Sequence, residues 1–412
     1  MSLDLTRIAS QVGDMIARLK AGSAERQAHL KRALDVVHDK NINLDHLKNK
    51  IIASRTTWLV AGLTDGLAHH YPAPPLPPEF TVMASDGSHI DVDRHKSTRC
   101  YLINIGVAVL HYGASPSARL ESFPRLYSDD ADLVITSGGG KVREQPIEGA
   151  LLGVKRSVEE CRKLVELASE LPPDSTTLAL IDGTLILWSL EGFPEFVVEA
   201  LLNNGFLPCL DELRKLSKER KLALASYISF PRSTDVVNAL RLALCPHEPA
   251  DCDRYCSGGD PVSSTGPAPY PSTGRACDVV SGVQDRALFS NLLNPGERSA
   301  LFISGSSIVE KRYGAHGIYF VYLRVDDEIA RVEVPQWVAM DENLLGLVHA
   351  LVLDQCQRGQ GYPVALSEAH EQAVVTAADK EEFWQFVDSS LVEEHMPGFG
   401  SMKSLSKRTR WI

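Results

Sequence analysis

Apolar residues recur at spacings of three and four along the first part of the chain, a pattern that predicts helices over residues 1–71. The clearest stripe is formed by Ile8, Val12, Ile16 and Leu19. The sequence YPAPPLPPEF follows, and its five prolines forbid a helix and favour an extended connector. We therefore expect a helical N-terminal arm with a proline-rich connector over residues 1–78.

From residue 79 the periodicity changes, and short apolar runs predict strands at residues 80–85, 100–112, 178–181, 222–229 and 318–325. Longer amphipathic runs predict helices at residues 147–171, 343–358 and 366–375. This mixture predicts an α/β (mixed α+β) fold. We expect one domain over residues 79–400 with a Cys-, Pro- and Gly-rich insertion at about 245–278, and a basic tail at 401–412.

Two similar motifs each follow an apolar strand: Asp86-Gly-Ser and Asp182-Gly-Thr. A carboxylate at the C-terminal end of a buried strand faces the crevice where α/β sheets bind ligands. The glycine permits a sharp turn, and the hydroxyl can hydrogen-bond to the loop. The alternative is that both are ordinary turns, because Asp-Gly is common in turns.

Two converging carboxylates would repel each other unless a cation lies between them. Hard divalent cations prefer oxygen ligands, and paired ions are the usual apparatus of phosphodiester hydrolysis. Such a site needs a further carboxylate, and the predicted helix before Asp182 offers Glu160, with Glu159 as the second choice. The alternative is that these glutamates are simply solvated.

Composition narrows the class of protein. The formal net charge of −11 argues against a surface coated with positive charge, but it leaves room for a local basic groove. No secretory signal and no apolar run long enough to span a membrane are visible. Eight cysteines in 412 residues are too few for a disulfide scaffold. We therefore expect a reduced, cytoplasmic protein with no membrane association.

Four of the cysteines fall in or beside the insertion: Cys245, Cys252, Cys256 and Cys277. Four thiolates within so short a segment could hold Zn²⁺ or an iron–sulfur cluster. The spacing differs from the paired CxxC of a zinc ribbon, so the alternative is four unrelated cysteines.

Three segments resemble the NurA family: MASDGSHID (83–91), LALIDGTLILWSL (178–190) and GYPVALSEAHEQAV (361–374). The resemblance implies an RNase H-like mixed sheet flanked by helices. It also implies that Asp86, Glu160, Asp182 and His370 bind metal, and that Tyr362 joins them in the catalytic site. Taken alone, His370 would be a surface histidine and Tyr362 a packing residue.

The resemblance further implies a Mn²⁺-dependent DNA nuclease, with Mg²⁺ as the alternative ion, that has 5′-to-3′ exonuclease and endonuclease activity. Its implied partners are DNA, a second copy of the chain and a HerA-type hexameric ATPase, in DNA end resection and repair. The alternatives are a catalytically weak DNA-end or ATPase-binding adaptor, and a phosphotransfer enzyme. Arg232, in YISFPR before a predicted helix, is a candidate DNA-phosphate ligand or part of a plain strand-to-helix turn.

Overall fold

The computed structural model describes residues 4–93, 95–96, 98–138, 142–256 and 275–396. Its α-helices are α1 (Leu5–Ala21), α2 (Ser23–Val37), α3 (Leu44–Ala53), α4 (Asp130–Leu133), α5 (Ala150–Glu170), α6 (Glu195–Val198), α7 (Leu207–Glu219), α8 (Asp235–Leu244), α9 (Cys252–Cys256), α10 (Asp285–Leu292), α11 (Ser307–Arg312), α12 (Gln336–Ala339), α13 (Glu342–Arg358), α14 (Val364–Ala373) and α15 (Ala377–Glu393). In these ranges, no helix is both long and apolar enough to cross a membrane.

The strands are β1 (Gly62–Leu63), β2 (His70–Tyr71), β3 (Phe80–Ile90), β4 (Tyr101–Tyr112), β5 (Ser117–Tyr127), β6 (Val134–Thr136), β7 (Glu144–Pro146), β8 (Thr177–Asp182), β9 (Leu222–Ile228), β10 (Arg298–Ser299), β11 (Phe302–Ile303), β12 (Ile318–Val325) and β13 (Glu328–Pro335). The predicted mixed α/β class is confirmed, and β4, β8, β9 and β12 end within one residue of their predicted bounds. The predicted basic tail lies outside the described residues, and so do residues 257–274 of the predicted insertion.

The chain divides into two compact units that are discontinuous in sequence. Unit 1 comprises residues 1–72, 229–306 and 319–331, and unit 2 comprises residues 73–228, 307–318 and 332–412. This division differs from the linear one expected from the sequence, because segments far apart in the chain share a core. The prediction of helix over the whole of residues 1–71 was wrong beyond Ala53, where β1 and β2 form instead.

Unit 2 contains a mixed sheet in which β5, β4, β3, β8 and β9 are neighbours in that order. The pairs β5–β4 and β4–β3 are antiparallel, whereas β3–β8 and β8–β9 are parallel. Apolar side chains of α5, including Leu164 and Leu167, are buried in one core cluster with Met83 and Ala179 of the sheet. This core fixes the positions of the strands that carry the two aspartate motifs.

The sequence predicted that β3 ends at the first aspartate motif, and this prediction was wrong. β3 continues to Ile90, so Asp86, Gly87 and Ser88 lie inside the strand. The reason is that antiparallel pairing with β4 runs unbroken from Phe80 to Ile90. Asp86 therefore lies within the β3–β4 ladder, opposite Gly106, rather than in a turn.

Unit 1 has a separate core, formed by Leu47, Leu240, Phe289, Phe302 and Tyr322 among others. Strands β1, β11 and β12 pair antiparallel beside it, and α1–α3 and α8–α10 belong to the same unit.

A buried carboxylate, Asp285, organises the start of α8 in unit 1. It is 0% exposed and accepts hydrogen bonds from the backbone N–H groups of Val236 (3.1 Å) and Val237 (2.9 Å) and from the hydroxyl of Tyr322 (2.6 Å). Burial, followed by the nearby Asp235, raises the pKa of Asp285 to about 6, although the three donors oppose this. Asp285 thus satisfies backbone donors that a helix start leaves unpaired.

We expect Asp285→Ala to lower the free energy of unfolding by about 3 kcal/mol, because three buried donors lose their acceptor. Urea denaturation followed by circular dichroism measures this. Asp35→Ala, on the exposed face of α2, is the control and should change stability little. Equal stabilities of the two variants would show that Asp285 does not stabilise the start of α8.

Candidate active site

The parallel register between β3 and β8 brings the two motif aspartates together. The last paired positions are Ser85 and Ile181, so Asp86 and Asp182 are the next residues on neighbouring strands. Adjacent strands are about 4.8 Å apart, and residues in register point to the same face of the sheet. The two carboxylates therefore lie side by side.

Glu160 approaches β3 from α5 at Gly87, the residue next to Asp86. A Cβ atom built on Gly87 would lie 2.6 Å from Glu160 Oε1, so the approach of this carboxylate to β3 depends on the absence of a side chain at Gly87. The hydroxyl of Ser85 donates to the backbone carbonyl of Glu160 at 3.0 Å and fixes this turn of the helix against the strand. Glu160 is 4% exposed.

The electrostatics of the three carboxylates indicate mutual repulsion. Burial, with the charges of Asp86 and Asp182, raises the pKa of Glu160 to about 8 against the opposing effect of Arg156. Asp182 lies at the exposed end of β8, yet partial desolvation raises its pKa, and Asp86 adds to the shift while a hydrogen bond from Tyr362 opposes it. Such a cluster gains stability from a bound cation.

Arg156 is the nearest cation to Glu160. Its Nε lies 3.0 Å from Glu160 Oε1, but the two atoms do not meet in hydrogen-bond geometry, so both are buried without a hydrogen-bond partner. The arginine side chain is one third exposed. Glu160 Oε1 is therefore a buried acceptor with unused capacity.

His370 is brought to Asp86 by α14. This helix packs directly on β4 at Gly106, where an added Cβ would lie 2.2 Å from the carbonyl oxygen of Ala369. Gly106 is the register partner of Asp86, so the helix passes over the aspartate itself. His370 Nδ1 lies 2.7 Å from Asp86 Oδ2, and the imidazole is 62% exposed.

Tyr362 completes the set at the second aspartate. Its hydroxyl donates to Asp182 Oδ1 at 2.9 Å. Its ring packs edge-on against Tyr227, the β9 residue in register with Asp182, with ring centroids 5.5 Å apart. Burial and the adjacent carboxylate raise the pKa of Tyr362, so the hydroxyl stays protonated and acts as a donor.

The choice between the two candidate glutamates is decided by the helix face. Glu159 points away from the aspartates and pairs with Lys155 Nζ at 2.6 Å and Arg162 Nη1 at 2.7 Å. Burial alone would raise the pKa of Glu159, but these two cations lower it. The two cations therefore hold the pKa of Glu159 below its usual value, whereas the single ion pair with Arg156 leaves the pKa of Glu160 raised.

Sequence reasoning missed Glu333 of β13, which holds the Asp182 loop in place. Its Oε2 accepts from the hydroxyl of Thr184 at 2.7 Å and from the N–H of Leu185 at 3.0 Å, and the residue is 1% exposed. The available signal was a charged residue between two apolar ones, Val332 and Val334, because a buried charge is costly without a partner.

The other predicted residues lie in unit 1, whereas the five residues above all lie in unit 2. Arg232 is exposed and precedes α8, which begins at Asp235. The four cysteines of the insertion also belong to unit 1. Neither set contributes to the cluster around Asp86 and Asp182 within unit 2.

The residues of this cluster fit a divalent cation by their chemistry: three carboxylates, one of them with an unused buried oxygen, and an imidazole nitrogen. As the side chains stand, no group of three or more His, Cys, Asp or Glu residues in the described part of the chain is gathered closely enough to hold an ion. Binding would therefore draw the carboxylates inward, with Glu160 leaving Arg156.

In a comparison with known protein families, one family model matches the chain. The model of the NurA domain matches residues 80–375, well over half of the chain, and this range includes all five residues of the cluster. No curated protein matches the chain significantly.

Proposed function

This chain belongs to the NurA family of nucleases, and we propose that it is a Mn²⁺-dependent deoxyribonuclease whose catalytic site is the cluster in unit 2. The observation that carries the proposal is the position of Glu160. The ion pair with Arg156 does not offset the burial of this carboxylate and the repulsion from Asp86 and Asp182, because the pKa of Glu160 is still raised to about 8, so a further cation or a proton is needed to neutralise it. A metal-dependent hydrolase accounts for that need.

In the proposed site, Asp86, Glu160, Asp182 and His370 would hold the metal. Bound there, a divalent cation would lower the pKa of a water and stabilise the charge that develops on the phosphate. Tyr362 would keep its proton and orient Asp182 or a phosphate oxygen by donation. Glu333 is a positioning residue, because it fixes the backbone just after Asp182.

The proposed reaction is 5′-to-3′ exonuclease and endonuclease cleavage of DNA. The test uses linear DNA labelled at the 5′ or the 3′ end, and closed circular single-stranded DNA, each with Mn²⁺. Early release of the 5′ label, with slower nicking of the circle, is expected. The polarity is refuted if the 3′ label is released first, and the nuclease proposal is refuted if no substrate is cleaved.

We expect Mn²⁺ to support cleavage about tenfold faster than Mg²⁺, because a nitrogen ligand suits Mn²⁺ better than Mg²⁺. His370→Ala should lower the rate with Mn²⁺ and bring the two rates close together. Initial rates at saturating metal measure both effects. An unchanged Mn²⁺ preference in His370→Ala would show that the imidazole is not a ligand.

The second candidate function is a catalytically weak adaptor that retains the nuclease fold. The presence of all five side chains in one cluster favours the enzyme, because an adaptor has no need of a buried, repelling carboxylate. Metal-independent DNA binding without any cleavage would favour the adaptor.

We also propose that the chain acts as a homodimer with a HerA-type hexameric ATPase, in DNA end resection and repair. The support is the family match alone. Light scattering of the purified chain should give the mass of two copies, and the ATPase should co-elute with it and accelerate cleavage. A monomer that ignores the ATPase would overturn the assembly while leaving the nuclease site untouched.

A further inference from the structure

A second group of reactive side chains lies in unit 1, at residues that the nuclease site does not use. Cys252, Cys256 and Cys277 line one cavity of about 170 Å³, together with Arg241 and Arg275. One water molecule takes up about 30 Å³ in the liquid, so the cavity has room for a ligand larger than a single water. None of the eight cysteines, which all lie in the described ranges, forms a disulfide.

Cys245, the fourth cysteine, follows the last residue of α8 and caps that helix. Helix α8 packs against the turn of 3₁₀ helix at Ala276–Val280, which carries Cys277. The four cysteines thus come from the end of α8, from α9 and from this turn.

The remaining four cysteines behave differently. Cys100, Cys161, Cys209 and Cys356 are buried in apolar surroundings, whereas the four of the insertion are half-buried. Free cysteine is among the most buried residue types and acts there as a small apolar side chain. Cys245 packs at its half-buried position against the core of unit 1, but packing does not explain the three half-buried thiols of Cys252, Cys256 and Cys277 around one cavity.

The surrounding charges suit an anionic centre. Arg241 lies beside Cys277, stacks on the ring of Trp58 at 4.4 Å, and has a buried Nε without a hydrogen-bond partner. Arg275 donates to the backbone carbonyl of Cys256. Four thiolates around a divalent ion, or around an iron–sulfur core, leave net negative charge that cations can offset. Two arginines stand at the cavity, where Arg241 also pairs with Asp278 at 3.6 Å and Asp253 is part of the lining.

The backbone at the start of α9 is held by hydrogen bonds to Arg55. Cys252 N–H donates to the carbonyl of Arg55 at 2.9 Å, and Arg55 N–H donates to Ala250 at 2.8 Å. Helix α9 has five residues and no buried side chain. Such a short helix gains little stability from its own hydrogen bonds, so a crosslink through its two cysteines would contribute much of its order.

We propose that Cys245, Cys252, Cys256 and Cys277 hold a structural metal centre through four thiolates. The thiols are not gathered at ligand distance as they stand, so binding turns them into the cavity and releases their protons. The centre crosslinks the end of α8, α9 and the segment after residue 275. This site is independent of the nuclease proposal, because it uses none of its residues.

The test begins with metal analysis of the full chain, purified under nitrogen without added metal. About one zinc per chain is expected, or iron with an equal amount of acid-labile sulfide and visible charge-transfer absorption; either supports the site, and the choice identifies its occupant. Cys252→Ser and Cys277→Ser should each lose the metal, whereas Cys100→Ala should keep it. Circular dichroism and nuclease rates check that the variants are folded.

A second measurement does not depend on variants. Full chain stripped by a chelator is titrated with Co²⁺, which gives thiolate charge-transfer bands only when sulfur is a ligand, so the carboxylate site is silent. About one thiolate-bound Co²⁺ per chain is expected. The proposal is overturned if the purified chain carries no stoichiometric metal and shows no such bands, or if both serine variants retain the metal.

Discussion

Asp182→Asn is expected to reduce DNA cleavage by about a thousandfold or more, and Asp86→Asn should do the same. Each change removes one negative charge from a pair of carboxylates that the register of β3 and β8 holds side by side. Loss of outer residues that only orient metal ligands already costs about 10- to 100-fold, so loss of a ligand costs more. Single-turnover rates on labelled single-stranded DNA at saturating Mn²⁺ measure the loss.

Asp174→Asn is the matched control, because Asp174 is exposed in the turn that precedes β8. It should cleave DNA at the wild-type rate, and all three variants should unfold at similar temperatures. Since an asparagine side chain has nearly the size of aspartate, a loss confined to Asp86→Asn and Asp182→Asn reports charge rather than folding. Full activity in both variants would rule out the proposed site.

Glu160→Gln is expected to lower the rate by about a hundredfold or more, whereas Glu159→Gln should leave it nearly unchanged. The two residues are adjacent on α5, but they point about 100° apart. Glu160 faces Gly87 and the aspartates, and Glu159 faces Lys155 and Arg162. The comparison separates a role at the metal from any general effect of removing charge from the helix.

A measurement of the free energy of unfolding complements this comparison, because the variant with the larger loss of activity should have the smaller loss of stability. Burial and the nearby aspartates raise the pKa of Glu160 to about 8, so Glu160→Gln replaces a carboxyl that is mostly protonated at neutral pH and should change stability little. Glu159→Gln breaks two ion pairs and should cost a small amount. Equal activities of the two variants, or a larger loss in Glu159→Gln, would contradict the assignment of Glu160.

The sequence predicted those parts of the site that depend on residues close together in the chain. The apolar run before Asp182 has the length and composition of a buried strand, and β8 ends at that residue. Asp86 was placed at a strand end because Asp-Gly-Ser has the composition of a turn. The strand continues instead, because β4 pairs with it along its full length and α5 uses the space beside Gly87.

What the sequence could not give depends on contacts between distant segments. The orientation of α5, which selects Glu160 over Glu159, follows from packing against Ser85 and Gly87, about seventy residues earlier. The support from Glu333 to the loop after Asp182 joins residues about 150 positions apart. The composition of unit 1, which combines three separate segments, is likewise set by a shared core and not by any linker.

The central claim is that Asp86, Glu160 and Asp182 bind a divalent metal, and anomalous X-ray scattering tests it most directly. Crystals of the active protein soaked with Mn²⁺ would be measured on both sides of the manganese absorption edge. A manganese peak within about 2.5 Å of carboxylate oxygens from Asp86, Asp182 and Glu160 is predicted, with loss of the peak in Asp182→Asn. An active protein whose manganese binds elsewhere, or not at all, would contradict the account.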